Sequence, residues 1–449
     1  MSLSRVEELI SRSNVRFGTS GARGLVADMT DEVCYAYAAA FLQSVAGEAG
    51  RVVLGHDLRP SSPRIAAACA AAIQDSGREV VYAGALPTPA LASYAARLQA
   101  PTLVVTGSHI PFDRNGIKFY RADGEISKAD EQAMMNAVID LPAVVTPAIL
   151  PVVDQSAGEA YERRYLDFFG AEALAGLRVA VYEHSSVARD VLRSILERLG
   201  AEVISLGRTD TFVPIDTEAV RAEDVAQARL WAEEYTFDAI VSTDGDADRP
   251  LIGDERGQWL RGDVVGILCA QYLRAGVVVT PVSSNTAVEK CGSFDKVVRT
   301  RIGSPYVITG MEESSSQSGA VVVGYEANGG FLLGSGVVCA DRRLEALPTR
   351  DAVLPMLALL CLSKERNCKL SQLAQNLPAR FTASDRLQNF ATQKSQLLIT
   401  DLLKTPVSLK RTLAAQSGDI LGIDQTDGLR VTFESAILCI CVPQAMRPS

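Results

Sequence analysis

Phe237-Asp238-Ala239-Ile240-Val241-Ser242-Thr243 opens directly into Asp244-Gly245-Asp246-Ala247-Asp248-Arg249. A short β-branched run that ends at Asp and Gly reads as a buried strand with a loop after it. In an extended chain, side chains at every second position share one side, so the three acids could converge. Converging carboxylates repel unless a cation sits among them, and hard oxygen ligands suit Mg2+ or Ca2+. The strand also completes a series. Leu177–Tyr182 reads as strand, Ala188–Leu199 as helix, Glu202–Leu206 as strand and Ala222–Glu234 as helix. That alternation predicts an α/β unit with parallel strands.

The same alternation occurs on both sides. Before it lie an Ala-rich helix over Asp31–Gly47, strands at Arg51–Gly55, Glu79–Ala83 and Thr102–Thr106, and a helix over Ser62–Ser76 with Pro63 in its first turn. The Pro-rich stretch from Leu141 to Val152 separates the two units. After it, the pattern restarts near Arg261-Gly262-Asp263. A helix is expected at Val264–Leu273, with strands at Val277–Val282, Val297–Arg299 and Ala320–Tyr325 and a helix at Asp351–Arg366. From Lys369 the pattern changes and ends in a strand-rich segment, Gly428–Val442. We therefore expect three successive α/β domains (1–151, 152–258 and 259–368) and a smaller α+β domain (369–449). No repeat is evident residue by residue.

Composition narrows the function. The chain has 449 residues and a net charge of −9, which argues against nucleic-acid binding, since that needs a basic footprint. A local Arg/Lys cluster can still hold a phosphate on an acidic protein. Nine cysteines, with no Cys-x-x-Cys pair, fit a reducing cytoplasm rather than a disulfide framework. The apolar runs are too short to span a membrane, and the N-terminus lacks signal-peptide form. Three histidines make a His-based metal site a poor prospect.

Three further segments carry candidate chemistry. Gly18-Thr19-Ser20-Gly21-Ala22-Arg23-Gly24 could bring backbone N–H groups and a guanidinium to a phosphate; by itself it reads more readily as a surface turn. Thr106-Gly107-Ser108-His109-Ile110-Pro111 and Asn115-Gly116-Ile117-Lys118 follow a strand. Ser108 is a candidate nucleophile, and His109 and Lys118 are candidate proton carriers. No Gly-x-Ser-x-Gly elbow surrounds Ser108, so a hydrolase triad fits poorly. A plain turn built by Gly, Pro and Asn-Gly explains the glycines equally well. Gly324-Tyr325-Glu326-Ala327-Asn328-Gly329-Gly330 follows another apolar strand. There Glu326 and Asn328 could bind two sugar hydroxyls, or the segment is a β-turn. For the acidic loop, an EF-hand is excluded because Arg249 stands where that loop needs Gly. An aspartyl-phosphate phosphotransferase remains open from this loop alone.

Together, in order and spacing along nearly the whole chain, these segments resemble the α-D-phosphohexomutase family. Its motifs are matched at Gly18–Gly24, at Thr106–Pro111 with Asn115–Lys118, and at Asp244–Arg249, with secondary matches at Gly55–Pro60 with Ser62 and at Gly84–Pro89. The resemblance implies four domains around a central cleft, with mixed sheets. It implies Ser108 as a phosphoserine, and Mg2+ held by Ser108, Asp244, Asp246 and Asp248. Lys118 is the preferred proton carrier, with His109 and Arg23 beside it. Arg249, Arg301, Gly303, Glu326, Asn328, Arg447 and Ser449 would bind substrate. The implied activity interconverts mannose 6-phosphate and mannose 1-phosphate, and the glucose phosphates as well. It runs through a hexose 1,6-bisphosphate that also serves as activator, in a cytoplasmic monomer or homodimer with no nucleic-acid or membrane partner.

Two departures from the family pattern set further expectations. Many members carry Glu-x-Ser-Gly-His in the sugar loop, whereas Gly330 stands here in place of the imidazole; a subset of bacterial phosphomannomutase-like sequences looks similar. The family's last domain carries an Arg-x-Ser-Gly-type phosphate clamp, and here Arg447-Pro448-Ser449 ends the sequence where that loop would begin. A shortened clamp predicts a raised KM and slower turnover. It leaves a sugar-phosphate-binding relative with weak or no mutase activity as the alternative function. A phosphatase that loses the Ser108 phosphate to water is a third reading.

Overall fold

The computed structural model describes residues 2–18, 21–316, 319–384, 390, 392–413 and 417–442. Its first sheet runs in the order Arg16–Phe17, Ala22–Leu25, Arg114–Arg121, Thr102–Val105, Arg51–His56, Glu79–Ala85, with Gly124–Glu125 paired to Arg114–Arg121. The second has the order Glu202–Leu206, Arg178–Tyr182, Ala239–Thr243, Pro250–Gly253, and the third Lys296–Thr300, Val277–Pro281, Val322–Tyr325, Phe331–Leu333, Leu347–Asp351. A three-stranded antiparallel sheet, Ile420–Asp424, Leu429–Phe433 and Leu438–Cys441, forms the last unit. With it come the helices Thr392–Lys404 and Pro406–Leu413. Leu402, Leu409, Leu429, Val431 and Phe433 give this unit its own core.

Each of the first three sheets contains the same device. A strand that runs parallel to its neighbour turns back on itself and pairs antiparallel with the next strand. The pairs are Thr102–Val105 with Arg114–Arg121, Ala239–Thr243 with Pro250–Gly253, and Val322–Tyr325 with Phe331–Leu333. The connections are the Ser108, acidic and Glu326 loops. The three chemical loops are thus equivalent hairpin turns, a structural repeat that residue-by-residue comparison does not reveal.

Two expectations need correction. Arg114–Arg121, with its Asn-Gly, is a strand and not a turn: it lies between Thr102–Val105 and Ala22–Leu25 and exchanges ladder hydrogen bonds with both. The acidic loop is not extended either. It turns through Ala247 at φ +58, with Ala247 N–H donating to the Asp244 carbonyl at 3.3 Å. Several helices escaped the pattern, among them Ser156–Phe169 and two that carry a proline in the first turn, Thr88–Leu98 and Ser304–Ser315.

One apolar core runs from the helix Ser156–Phe169 through the second and third units. The first unit has a separate core around Phe41, Leu54, Ile73 and Phe119. The helix Val353–Glu365 is buried from Val353 to Ser363, on every face. No helix among the described residues is long and apolar enough to cross a membrane.

Candidate active site

Ser108 is held by residues that carry no reactive role of their own. Its φ is +51, a left-handed conformation that costs a non-glycine residue about 1 kcal/mol or more. Arg59, which is 1% exposed, compensates. Its Nη1 donates to the carbonyls of Pro111 (2.7 Å) and Arg114 (2.8 Å). Its Nη2 donates to those of Ser108 (2.9 Å) and Ile110 (2.5 Å). Bonds from a charged donor contribute roughly 1.5–3 kcal/mol each, so four of them outweigh the strain. Asp57 pairs with Arg59 Nε at 3.3 Å. It also accepts from Ser62 Oγ (2.6 Å), Thr106 Oγ1 (2.7 Å) and Gly107 N–H (3.2 Å). Gly107 has to be glycine, because a Cβ there would lie 2.5 Å from Arg59 Cζ.

The Ser108 and acidic turns meet face to face. Ser108 Oγ donates to Asp244 Oδ2 at 2.7 Å and lies 3.3 Å from His109 Nδ1. Asp244, Asp246 and Asp248 are buried, with ligand atoms all within 4.8 Å of one another. Lys118 Nζ donates to Asp246 Oδ2 and Asp248 Oδ2, at 2.6 Å each. Arg350 Nη2 donates to Asp248 Oδ2 at 2.8 Å, and Arg249 Nε stands 3.6 Å from Asp248 Oδ1. From the first unit, Thr88 Oγ1 donates to Asp246 Oδ2 at 2.5 Å.

These contacts set the charges. Burial raises the Asp244 carboxyl well above the usual carboxylate range, and Asp248 and Asp246 add to the effect. Burial acts on Asp248 in the same direction, but Arg350, Lys118 and Arg249 overcome it and hold that carboxyl far below the range. For Lys118, burial would lower the pKa, and Asp246 and Asp248 raise it more strongly; the ammonium stays charged. His109 Nδ1 faces Arg249 Nη1 at 2.9 Å. A guanidinium only donates, so that ring nitrogen is the acceptor and the imidazole is neutral.

The acid triplet fits a hard divalent cation. Asp246 Oδ1 and Asp248 Oδ1 are buried with no hydrogen-bond partner, and buried carboxylate oxygens of that kind are what such a cation coordinates. Glu255, the next glutamate along the chain, is not part of this cluster and accepts from Ser371 Oγ at 2.7 Å.

The third turn brings the sugar-loop residues to the same place. Glu326 Oε2 accepts from Arg350 Nη1 at 3.1 Å. Asn328 Oδ1 accepts from Gly330 N–H at 2.9 Å, and its carbonyl accepts from Thr217 Oγ1 at 2.7 Å. The amide nitrogen is thus the end of Asn328 left for a ligand. Arg23 is half-buried on Ala22–Leu25, paired opposite Gly116, two residues before Lys118. Arg301 is exposed, and its Nε donates to the Thr426 carbonyl at 3.2 Å; it meets the last unit and not the Ser108 cluster. Gly303, at φ +128, caps Ser304–Ser315. Thr19, Ser20, Arg447 and Ser449 lie outside the described residues. Sequence reasoning missed the roles of Asp57, Arg59, Thr88 and Arg350. Arg59 lay within a matched segment and was recoverable. Arg350, an arginine in an ordinary strand, carried no signal.

A buried serine, an acid triplet and a Glu-Asn pair are thus presented side by side by three equivalent hairpins. Family models match the chain as phosphoglucomutase/phosphomannomutase α/β/α domain I over residues 14–141, domain II over 161–257 and domain III over 261–381. A phosphomannomutase from Salmonella muenchen is 46% identical over 430 residues, covering 95% of this chain and 89% of that one. One from Sinorhizobium fredii is 43% identical over 444 residues, covering 96% and 93%. The crystal structure of a putative phosphomannomutase from Thermus thermophilus superposes with a TM-score of 0.73 at 21% identity, covering 94% of this chain and 92% of that one. The chain therefore belongs to the phosphoglucomutase/phosphomannomutase family, the α-D-phosphohexomutases, and is a phosphosugar mutase.

Proposed function

We propose that this mutase interconverts mannose 6-phosphate and mannose 1-phosphate, with Ser108 as the phosphoryl carrier. The observation that carries the reading is the Ser108 hydroxyl, 2.7 Å from Asp244 Oδ2 within the buried acid triplet. The names of the two relatives that share more than two-fifths of its residues support mannose as the sugar.

Asp244, Asp246, Asp248 and the Ser108 oxygen would hold Mg2+. When bound, the cation would offset the negative charge of the phosphoryl group and polarise it as a Lewis acid. The chain's own residues do the rest. Glu326 and Asn328 bind sugar hydroxyls and so orient the hexose. The Ser108 phosphoryl group passes to the free hydroxyl of a hexose monophosphate. That hydroxyl's proton needs an acceptor, and the Ser108 oxygen regains one when it is next free. Lys118, the carrier favoured from sequence, has its ammonium committed to two carboxylates. His109 Nδ1 lies 3.3 Å from Ser108 Oγ and accepts from Arg249 Nη1 at 2.9 Å; it becomes the proton acceptor once Arg249 turns to the incoming phosphate. Arg350 and Lys118 keep Asp248 ionised. The resulting hexose 1,6-bisphosphate turns over within the cleft and returns its other phosphate to Ser108. Added bisphosphate would prime an unphosphorylated serine. Every group named comes from one chain, so a monomer or a homodimer serves equally. Nine thiols favour the reducing cytoplasm as its location.

A coupled assay tests this with mannose 1-phosphate and, separately, glucose 1-phosphate, in Mg2+ with a trace of the matching bisphosphate. Turnover of mannose 1-phosphate that disappears in Ser108→Ala is the expected result. Folded protein that binds either sugar phosphate without turning it over would replace the mutase reading with that of a binding relative. Free phosphate released faster than isomer would replace it with a phosphatase.

A further inference from the structure

Asp246, in the acidic turn of the second unit, is gripped twice by one residue of the first. Thr88 N–H donates to the Asp246 carbonyl at 3.0 Å, and Thr88 Oγ1 donates to Asp246 Oδ2 at 2.5 Å. Thr88 opens the helix Thr88–Leu98. An N–H at that place has no acceptor within its own helix and is free to bond elsewhere. Pro87 and Pro89 flank the threonine, and each ring fixes its own φ, so the entry to the helix has little freedom. The helix is packed on two sides. Ala90 lies in the core that runs through the second and third units, and Leu91 in a core of the first. Thr88 itself is fully buried. Its hydroxyl is therefore carried on a fixed element, away from water.

The grip is one-sided. Lys118 Nζ also donates to Asp246 Oδ2, at 2.6 Å, so that oxygen has two donors. The other oxygen of the same carboxylate, Oδ1, is buried with no partner. Two donors on one oxygen fix the rotation of the carboxylate and leave the bare oxygen for a cation. The two donors are not equivalent. An ammonium on a flexible four-carbon stem is a point charge that follows the oxygen wherever it turns. A β-branched hydroxyl is stiff at its first side-chain torsion and does not follow. We propose that Thr88 is a positioning residue for the metal: it holds Asp246 in the orientation in which Oδ1 coordinates a divalent cation. The proposal rests on the reading of the acid triplet as the cation site. Partners that orient a metal ligand from behind typically change metal affinity by about ten- to a hundredfold when removed.

The test measures Mn2+ binding to the full chain by the loss of the free-ion EPR signal, and Mg2+ affinity by its displacement of Mn2+. The proteins compared are the wild type, Thr88→Val, Thr88→Ala and Thr88→Ser, each with Ser108 free of phosphate. Valine matches threonine in shape and keeps the backbone bond, and only the hydroxyl is lost. Alanine removes the hydroxyl without setting a methyl against the carboxylate, so it reads the same loss if Thr88→Val does not fold. The expected result is a Mg2+ dissociation constant raised about tenfold or more in Thr88→Val and Thr88→Ala. Thr88→Ser, which restores the hydroxyl, should recover most of the affinity. Tm taken without metal identifies the alternative. A lowered Tm with metal affinity unchanged would make Thr88 merely structural and overturn the proposal. A wild type that binds no Mn2+ would instead overturn the acid triplet as the cation site, and this inference with it.

Discussion

Gly245 stands between the two turns that make the site. A Cβ on it would lie 2.7 Å from the Ser108 carbonyl oxygen. That oxygen is backbone and is already held by Arg59, so it cannot swing aside as a flexible side chain would. Gly245→Ala must therefore push the acidic turn away from Ser108. We expect unfolding free energy to fall by about 1–3 kcal/mol, as for other overpacked sites, and kcat to fall by roughly a hundredfold, because misplacing reacting groups by an ångström is that damaging. Denaturant titration and steady-state turnover read the two effects separately. A variant with wild-type kcat would show that the close approach of the turns is not needed for transfer. At this scale the sequence disclosed the chemistry and not its supports. Ser108 and the three acids announce themselves by type and spacing. Arg59 stood within a matched segment but had no role there to read, and Arg350 acts by reaching across the fold, which leaves no local pattern.

The strands and helices were legible where their periodicity was strong. The strand Glu202–Leu206 and the helix Ala222–Glu234 have the expected bounds. Arg114–Arg121 escaped because tertiary pairing on both edges overrode the turn chemistry of Asn-Gly. Strand ends also carry a consequence for stability. His184, just beyond Arg178–Tyr182, places Nε2 3.0 Å from the Thr243 carbonyl, at the end of the neighbouring strand. Its Nδ1 is buried without a partner. Burial lowers its pKa from the ordinary 6.5 to about 4. The folded protein thus holds the ring neutral, while the unfolded chain takes up a proton once the pH drops below 6.5. The stability this contributes is complete above pH 6.5 and is lost as pH falls toward 4, about 3 kcal/mol in all. His184→Asn should flatten the dependence of Tm on pH within that window; asparagine tolerates the positive φ of 28 found there. Parallel curves for the two proteins would refute the assignment.

The whole molecule is held around its site by contacts between units. Thr217 reaches from the second unit to the Asn328 carbonyl, and Ser304 from the third to Glu125 Oε2 of the first at 3.0 Å. The last unit joins through the turn between its first two strands. Asp427 Oδ2 accepts from Ile302 N–H at 2.8 Å, beside the bond from Arg301 to the Thr426 carbonyl. Arg301 and Gly303 thus bracket a seam between the third and fourth units, which accounts for their places in the chain without direct contact with the Ser108 cluster. One hydrogen bond at a seam contributes about 1 kcal/mol, equivalent to roughly a fivefold change in the closed population. Asp427→Ala removes that bond and touches none of the reacting groups. If substrate is held by closure of the fourth unit over the cleft, KM for mannose 1-phosphate should rise about fivefold while kcat stays within about twofold. Amide exchange at Ile302 should quicken at the same time. A fall in kcat with KM unchanged would mean that the seam acts only in the transition state, and that closure follows binding without contributing to it.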